Sequence, residues 1–312
     1  MVERPPTLRP PVEPPRRGRA RPSRGQILVR RLIALGVLVV ALIGLALAGY
    51  YALRGGGDKS SEPATTRVLA PPPKPFRIIF PEGFTRRQMA ERVAAVDRIA
   101  KRKRHTNVAL SSRGYLAATA KPRRIAGFGT KRYRLEGFLS PATYDFTKRT
   151  TSAKLAALQL QAFQRNWHDV NLSYARSKNL TPYDVLTIAS MVEKEAVAPE
   201  ERAKIAAVIY NRLHAGMNLG IDATLRYGLN IPPTESIHES QLESDSPYNT
   251  RNPNITGLPP TPIANPGLAS IQAAAHPAKV DYLYFVRRPD KVHHFFTASG
   301  TEFQQYEATH GY

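Results

Sequence analysis

In residues 180–195 the apolar residues recur every three or four positions, and this spacing predicts an amphipathic helix. Thr181 is a good N-cap, Pro182 suits the first helical position, and Asp184 can complete a capping box. At about 100° per residue, four apolar residues fall on one face of this helix. They are Val185, Ile188, Ala189 and Val192. The pattern therefore predicts a helix that packs one side against a core.

Two carboxylates, Glu193 and Glu195, follow near the end of this predicted helix and flank its apolar face on opposite sides. A glutamate held against apolar neighbours has a raised pKa, which a general acid working near neutral pH requires. The alternative is a solvated edge in which both carboxylates and Lys194 face water. Periodicity alone does not rank the two glutamates.

Other segments predict a mixture of short strands and helices, which places the chain in the α+β class. Gly216 is a plausible stop for the helix that ends near residue 214. The predicted elements are a strand at Phe76–Phe80, helices at Arg86–Val93, Ser152–Val170, Pro199–His214 and Leu268–Ala275, and a hairpin formed by Asp281–Arg287 and His293–Thr297.

An uncharged apolar run occupies Leu32–Leu53. As a helix of 22 residues it would be about 33 Å long, enough to cross a bilayer core. The arginine-rich residues 1–31 precede it, so the positive-inside rule predicts a cytoplasmic N-terminus and an extracytoplasmic remainder. A cleaved signal peptide is the alternative, because Ala46–Ala48 has the small-x-small form.

The rest of the chain divides by composition. Residues 1–31 are rich in Pro and Arg and are predicted to be a disordered cytoplasmic tail, while residues 54–75 read as a linker. Order is expected to resume at Phe76. We predict two folded segments after this point, a small α/β segment at residues 76–130 and a mixed α+β segment at residues 131–312.

Net charge and amino-acid composition limit the binding partners and the kinds of chemistry that this chain can have. The chain has a net charge of +21, which suits a polyanionic partner such as nucleic acid, anionic lipid or an anionic wall polymer. The basic run Ala100–His105 is read as a solvated helix face or loop, and the transmembrane segment argues against nucleic acid as the partner.

The chain lacks cysteine, which excludes disulfides and thiolate chemistry. His293 and His294 are adjacent and should face opposite sides of a strand, so we predict no metal site and no cofactor.

Several short blocks between Phe76 and Tyr306 are distinctive in their order and spacing. They are Ile79–Gly83 with Thr85 and Met89-Ala90, Leu135–Gly137 with Thr143-Tyr144, Ile188–Glu195, Tyr210–Leu213, Met217–Asp222, Ser246–Thr250, Gly257–Pro260, Ala273–Lys279 and Tyr282–Val286. Through these blocks the chain resembles the YceG-like family of endolytic murein (peptidoglycan) transglycosylases.

The resemblance implies a LysM-like module at residues 76–130, a transglycosylase catalytic domain at residues 131–312 and a catalytic glutamate at Glu195. Such an enzyme cleaves the bond between MurNAc and GlcNAc of nascent peptidoglycan and forms 1,6-anhydro-MurNAc, with a role in ending glycan-strand elongation. The implied substrate is the glycan strand, and the implied partners are peptidoglycan synthases at the bacterial cell (inner) membrane. A non-catalytic peptidoglycan-binding scaffold for wall-synthesis partners is the alternative.

Supporting roles are assigned with loop scaffolding as the alternative for each residue. Asp222 could position Arg212 or the substrate. Tyr248, Asn249 and Thr250 could hydrogen-bond sugar or N-acetyl groups. Glu193 is a neighbour that could tune the pKa of Glu195 or contact substrate. The predicted substrate-binding residues are Glu193, Asp222, Tyr248, Asn249 and Thr250.

Three positions depart from the family pattern. Gly220 stands where the pattern usually has glutamine, Ala142 where it has aspartate, and Ala196 where Ser or Thr is common. The first could alter a substrate contact, and none removes Glu195.

Overall fold

The computed structural model describes residues 75–311, together with Ile43, Leu45, Ala46 and Tyr50, which are helical. The predicted tail lies outside the described residues, as do the predicted linker except for Pro75 and the predicted transmembrane segment except for those four positions. Within the described part of the chain, no helix is both long enough and apolar enough to cross a membrane. Residues 72–312 form one compact unit.

This unit combines helices with short strands, which confirms the α+β class. The helices are α1 (Arg86–Arg104), α2 (Ser112–Ala120), α3 (Ser152–His168), α4 (Ser173–Ser177), α5 (Pro182–Glu195), α6 (Arg202–His214), α7 (Asp222–Leu229), α8 (Glu239–Leu242), α9 (Leu268–Ala275) and α10 (Gly300–His310), with a 3₁₀ turn at Pro199–Glu201. The strands are β1 (Phe76–Ile79), β2 (Arg123–Arg124), β3 (Arg132–Tyr133), β4 (Thr143–Phe146), β5 (Tyr284–Arg287) and β6 (His294–Thr297).

Helix α5 has the predicted start, because Thr181 and Asp184 form a reciprocal capping box. The Thr181 hydroxyl accepts the Asp184 amide, and the Asp184 carboxylate accepts the Thr181 amide at 2.7 Å. Its middle differs from the prediction. All eight residues of Val185–Val192 are buried, so α5 is enclosed on every side rather than along one stripe. A helix surrounded in this way belongs to the centre of a domain.

The core around α5 is continuous. Helix α9 packs along both α5 and α6, and apolar side chains from Ile78 to Ala275 belong to a single buried cluster. The hydroxyl of Ser190 donates to the Thr187 carbonyl at 2.7 Å and accepts the Ile263 amide at 3.0 Å. The buried Ser190 hydroxyl is therefore paired both as donor and as acceptor, as burial of a polar group favours.

The strands form three two-stranded antiparallel ladders among the described residues: β1–β4, β2–β3 and β5–β6. In the first ladder Phe76 pairs with Phe146 and Ile79 with Thr143. This ladder joins the segment predicted as a module to the segment predicted as a catalytic domain. In the last ladder Arg287 lies opposite His294.

Two local predictions have clear outcomes. Helix α1 extends to Arg104 rather than ending at Val93, so most of the basic run Ala100–His105 is helical and exposed. His293 and His294 do differ in environment as predicted. His294 is buried, and its Nδ1 lies 2.7 Å from the buried Glu201 carboxylate, whereas His293 is only partly buried, with 46% of its side chain exposed.

Candidate functional site

Glu195 is the last residue of α5 and directly follows the buried part of that helix. Its side chain is only partly exposed. Burial raises the pKa of the Glu195 carboxyl to about 7, although the positive charges of Arg287 and Arg251 oppose this shift and the negative charge of Asp222 adds to it. A carboxyl group with this pKa is present in both protonation states near neutral pH, as acid–base catalysis requires.

Three of the charged groups that act on Glu195 come from separate parts of the chain. Asp222 is the first residue of α7, and its Oδ1 accepts a hydrogen bond from Nε of Arg251 in the loop after α8. Arg287, at the end of β5, donates from Nη2 to the Glu195 main-chain carbonyl at 2.9 Å. The fold thus gathers a carboxyl group, one further carboxylate and two guanidinium groups into one electrostatic neighbourhood.

The proposed contact between Asp222 and Arg212 is replaced by another arrangement. Asp222 pairs with Arg251, whereas Arg212 donates to the Leu283 carbonyl at 2.5 Å and to the Leu219 carbonyl at 2.8 Å. Arg212 therefore ties α6 to the loops that precede α7 and β5. Asp222 still belongs to the surroundings of Glu195.

Glu193 has a different environment from Glu195. Its Oε2 accepts the Gly267 amide at 3.0 Å and the Ser270 hydroxyl at 2.7 Å, where helix α9 begins. Burial raises the pKa of Glu193 and these two hydrogen bonds oppose the shift. The charges that act most strongly on Glu195 are those of Arg287 and Asp222 rather than Glu193. Glu193 therefore links α5 to α9.

The three predicted sugar contacts lie in the loop after α8. The Tyr248 hydroxyl is 2.9 Å from the Thr261 hydroxyl, and its ring lies 5.2 Å from that of Tyr227. Asn249 and Thr250 are buried. Asn249 donates to the carbonyls of Leu242 and Ser244, while the Thr250 hydroxyl is 2.8 Å from that of Thr224. These bonds favour loop scaffolding for the last two, and the sugar contact stays a prediction.

The conformation of Gly220 bears on the departure from the family pattern. Its φ is +65°, and a Cβ at this position would lie 2.8 Å from Nη1 of Arg212. Glycine is favoured in this left-handed region. A glutamine in its place would require Arg212 to shift, so the two positions are coupled sterically.

Two important residues escaped the sequence-based prediction. Glu136 is buried, and its carboxylate accepts the amide of Arg86 at 3.0 Å, the side-chain amide of Asn265 at 2.9 Å and the hydroxyl of Tyr227 at 3.1 Å. Burial raises its pKa to about 7. The sequence did carry a signal for Glu136, because this carboxylate stands alone among the mostly apolar residues 135–139. Arg287 gave no such signal, because its partner is a main-chain carbonyl.

Within residues 75–311 and the four described upstream positions, no group of three or more His, Asp or Glu residues is arranged to hold a metal ion. The charged groups that act on Glu195 are one carboxylate, two guanidinium groups and the Lys194 ammonium group, and these cations are hydrogen-bond donors rather than metal ligands. The chemistry that this site supports is proton transfer by a carboxyl group.

The fold and the site define an α+β protein with a candidate general acid at the end of its central helix. The chain belongs to the YceG-like family, whose sequence profile it matches over residues 33–309. It is 36% identical over 255 residues to an endolytic murein transglycosylase of Streptococcus pneumoniae (strain ATCC BAA-255 / R6), covering 75% of this chain and 42% of the relative. It is 39% identical over 157 residues to an endolytic murein transglycosylase of Bacillus subtilis (strain 168), covering 50% of this chain and 43% of the relative.

The chain therefore spans about two fifths of the length of the curated relatives it matches, with covered shares of 42% and 43%. A solved structure shares the fold. The crystal structure of a YceG-like protein from Listeria monocytogenes is 30% identical, with a TM-score of 0.60, covering 74% of this chain and 76% of that one.

Proposed function

We propose that this protein is an endolytic lytic transglycosylase that cleaves the bond between MurNAc and GlcNAc in nascent peptidoglycan. The observation that carries the proposal is Glu195, a partly buried carboxyl group whose pKa is raised to about 7 at the end of the central helix. Membership of the YceG-like family and the names of the curated relatives support the same activity.

In the proposed reaction Glu195 acts twice. Its protonated carboxyl group gives a proton to the glycosidic oxygen, the bond between this oxygen and C1 of MurNAc breaks, and the GlcNAc end leaves as an alcohol. The resulting carboxylate accepts the proton of the MurNAc C6 hydroxyl, whose oxygen forms a bond to C1. The 1,6-anhydro ring closes, and Glu195 is protonated again. One carboxyl group is sufficient because the nucleophile belongs to the substrate, unlike hydrolysis by a carboxylate pair.

The charged neighbours of Glu195 keep its protonated and ionised forms close in free energy. Arg287 and Arg251 stabilise the carboxylate that exists between the two proton transfers, whereas burial and Asp222 favour the acid at the start. A group that must serve as acid and then as base works best when neither form is strongly preferred. The opposing charges around Glu195 meet this requirement.

We further propose that Leu32–Leu53 anchors the enzyme in the cell membrane, with the N-terminus in the cytoplasm and the catalytic domain outside it. The uncharged run and the arginines before it support this topology. A LysM-like role in glycan binding for residues 76–130 and contact with peptidoglycan synthases belong to the same proposal. The last two rest on sequence resemblance.

The matched pair Glu195→Gln and Glu193→Gln tests the catalytic assignment. Both variants remove one carboxylate from α5 and add one amide. We expect Glu195→Gln to lower the release of 1,6-anhydro ends from polymeric peptidoglycan at least about 100-fold, the usual minimum contribution of a general acid. Glu193→Gln should stay within about threefold of the wild type, because its amide oxygen can still accept from Gly267 and Ser270.

Mass spectrometry of the released fragments provides the measurement, and pull-down with insoluble peptidoglycan gives binding separately. Retained binding together with lost cleavage in Glu195→Gln would support the enzyme. A wild-type protein that binds the polymer but releases no anhydro ends would instead be a peptidoglycan-binding scaffold. Equal losses in both glutamine variants would contradict the ranking of Glu195 over Glu193.

A further inference from the structure

Positive charge is concentrated in one part of the described domain. Residues 86–134 contain 15 lysines and arginines against Glu91 and Asp97, a net charge of +13. Residues 135–312 contain 16 basic and 17 acidic residues, a net charge of −1. Helices α1 and α2 and the ladder β2–β3 lie in the first range. The basic character of the domain is therefore local, and the proposed catalysis does not use it.

The density of charge is greatest where α1 ends. We define the basic tip as Arg98, Lys101, Arg102, Lys103 and Arg104, all of which are exposed. Lys101 pairs with Asp97 at 2.9 Å. Basic residues in the last turn complement the helix dipole, but this effect is confined to the last turn, and each residue stabilises the helix by only a fraction of a kcal/mol. Five cations on two turns exceed this structural purpose.

An apolar side chain lies among these cations. Ile99 is 46% exposed, although it belongs to a helix whose other face is buried in the core. Cations around an exposed aliphatic side chain are typical of surfaces that dock at a membrane interface, where the cations meet phosphates and the aliphatic group enters the headgroup region. A soluble polyanion offers the apolar group no such environment.

The basic tip also lies where the chain enters the domain. The guanidinium group of Arg104 stands over the ring of Phe76 at 4.4 Å, and Phe76 is the first residue of β1. Only residues 54–75 separate this point from the apolar run Leu32–Leu53. A chain of this length spans at most about 75 Å. The proposed anchor therefore keeps the tip within reach of the bilayer surface.

We propose that the basic tip docks on anionic phospholipid headgroups of the membrane that holds the anchor. Docking would fix one end of α1 at the bilayer and restrict the orientations that the domain can take. This inference rests on the proposed anchoring and is independent of the proposed catalysis. Each lysine or arginine near an anionic surface adds attraction that weakens with salt.

The test uses the full chain reconstituted into vesicles of phosphatidylcholine, with or without about one third phosphatidylglycerol. The protein lacks cysteine, so a single substitution, Asn107→Cys, places one fluorophore on the exposed loop beside the tip. Thr301→Cys, on exposed α10, carries the same fluorophore as a reference. A lipid-headgroup quencher then reports how near each label lies to the bilayer.

We expect quenching of the Asn107 label to be at least about threefold stronger on anionic than on neutral vesicles and to be lost in about 0.5 M salt. The double variant Arg102→Glu/Lys103→Glu should abolish this difference, and Arg102→Gln/Lys103→Gln should reduce it. The control Arg176→Glu/Lys178→Glu changes the net charge equally at two exposed residues, one in the last turn of α4 and one directly after it, and should leave the difference intact. Matching thermal unfolding of these variants shows that the fold is unchanged.

Several outcomes would overturn the proposal. One is equal quenching of the Asn107 label on neutral and anionic vesicles, and another is equal sensitivity to the two glutamate variants. A third is an Asn107 label that stays unquenched by lipid while soluble poly(glycerol phosphate) binds the protein through Arg102 and Lys103, which would identify a wall polymer as the partner. Flotation of the protein with vesicles in high salt tests the anchor separately, so failure of anchoring and failure of docking can be distinguished.

Discussion

At the scale of single residues, the environment of Glu195 sets the pH dependence of the proposed reaction. Its pKa is raised to about 7, mainly by burial. Because cleavage begins with proton donation, kcat/KM for anhydro-end release should fall as the pH rises through about 7 and approach a tenfold loss per pH unit. A profile that stays flat between about pH 6 and 9 would contradict general-acid catalysis by Glu195.

Neighbouring charges should move this fall in opposite directions. Arg287→Gln removes a positive charge that lowers the pKa of Glu195, so the decline should begin at higher pH. Asp222→Asn removes a negative charge that raises the same pKa, so the decline should begin at lower pH. Measured kcat/KM profiles of both variants provide the test, and shifts in the same direction would refute the electrostatic account. Arg287→Lys keeps the charge and should resemble the wild type.

Sequence predicted some of these residues because their signals are local. Glu195 stands in a helix with a readable period and a capping box, so its position near the end of that helix could be predicted, whereas its ranking above Glu193 came from the family resemblance. Asn249 and Thr250 stand in a loop, where no period marks the direction of a side chain. Asn249 binds the nearby carbonyls of Leu242 and Ser244, and Thr250 contacts the hydroxyl of Thr224, which is distant in sequence. The partners of Asp222 and Arg287 are likewise distant in sequence, so no spacing rule could assign them.

At the scale of secondary-structure elements, Glu136 joins three segments. Its carboxylate accepts the first amide of α1 at Arg86, the side chain of Asn265 and the hydroxyl of Tyr227 in α7. Glu136→Ala would leave these buried donors unpaired, which we expect to lower the free energy of unfolding by about 3 kcal/mol at pH 5. Tyr227→Phe removes one of the three bonds and should cost about 1 kcal/mol. Thermal or urea unfolding of both variants provides the measurement.

The effect of Glu136→Ala should also depend on pH. The folded-state pKa of Glu136 is about 7, above the ordinary value of 4.5. Its titration therefore favours the folded state fully below about pH 4.5, and this contribution is lost as the pH rises through 7. Glu136→Ala should consequently destabilise the protein less at pH 8 than at pH 5. A larger loss at pH 8, or a loss no greater than that of Tyr227→Phe, would contradict the assigned role.

Element boundaries were predictable where capping residues mark them. Thr181 and Pro182 defined the start of α5, and Leu268–Ala275 is helical as predicted. The prediction for α1 was too short, although Val96 and Ala100 continue the apolar spacing of Met89 and Val93. The last turn, Lys101–Arg104, has only exposed basic side chains, which complement the helix dipole, so no apolar spacing marks this end of the helix.

At the scale of the whole molecule, the predicted boundary near residue 130 separates parts that share structure. Strand β1 pairs with β4, and the buried Tyr115 hydroxyl lies 2.5 Å from the side chain of Gln159 in α3. Apolar residues on both sides of the boundary belong to one core. A module can have its own ligand and still depend on its neighbour for folding. Composition did not predict this connection, because composition does not reveal strand pairing.

We therefore expect residues 72–312 to unfold in one transition and residues 131–312 alone not to fold. Removing residues 76–130 leaves β4 without its partner strand β1. It also removes the Tyr115 hydroxyl that contacts Gln159 and the Arg86 amide that donates to Glu136. Open strand edges and unpaired buried groups are each costly. Calorimetry of the longer fragment and circular dichroism of the shorter one provide the test. Two resolved transitions in the first, or a cooperative transition in the second, would show that residue 130 is a folding boundary.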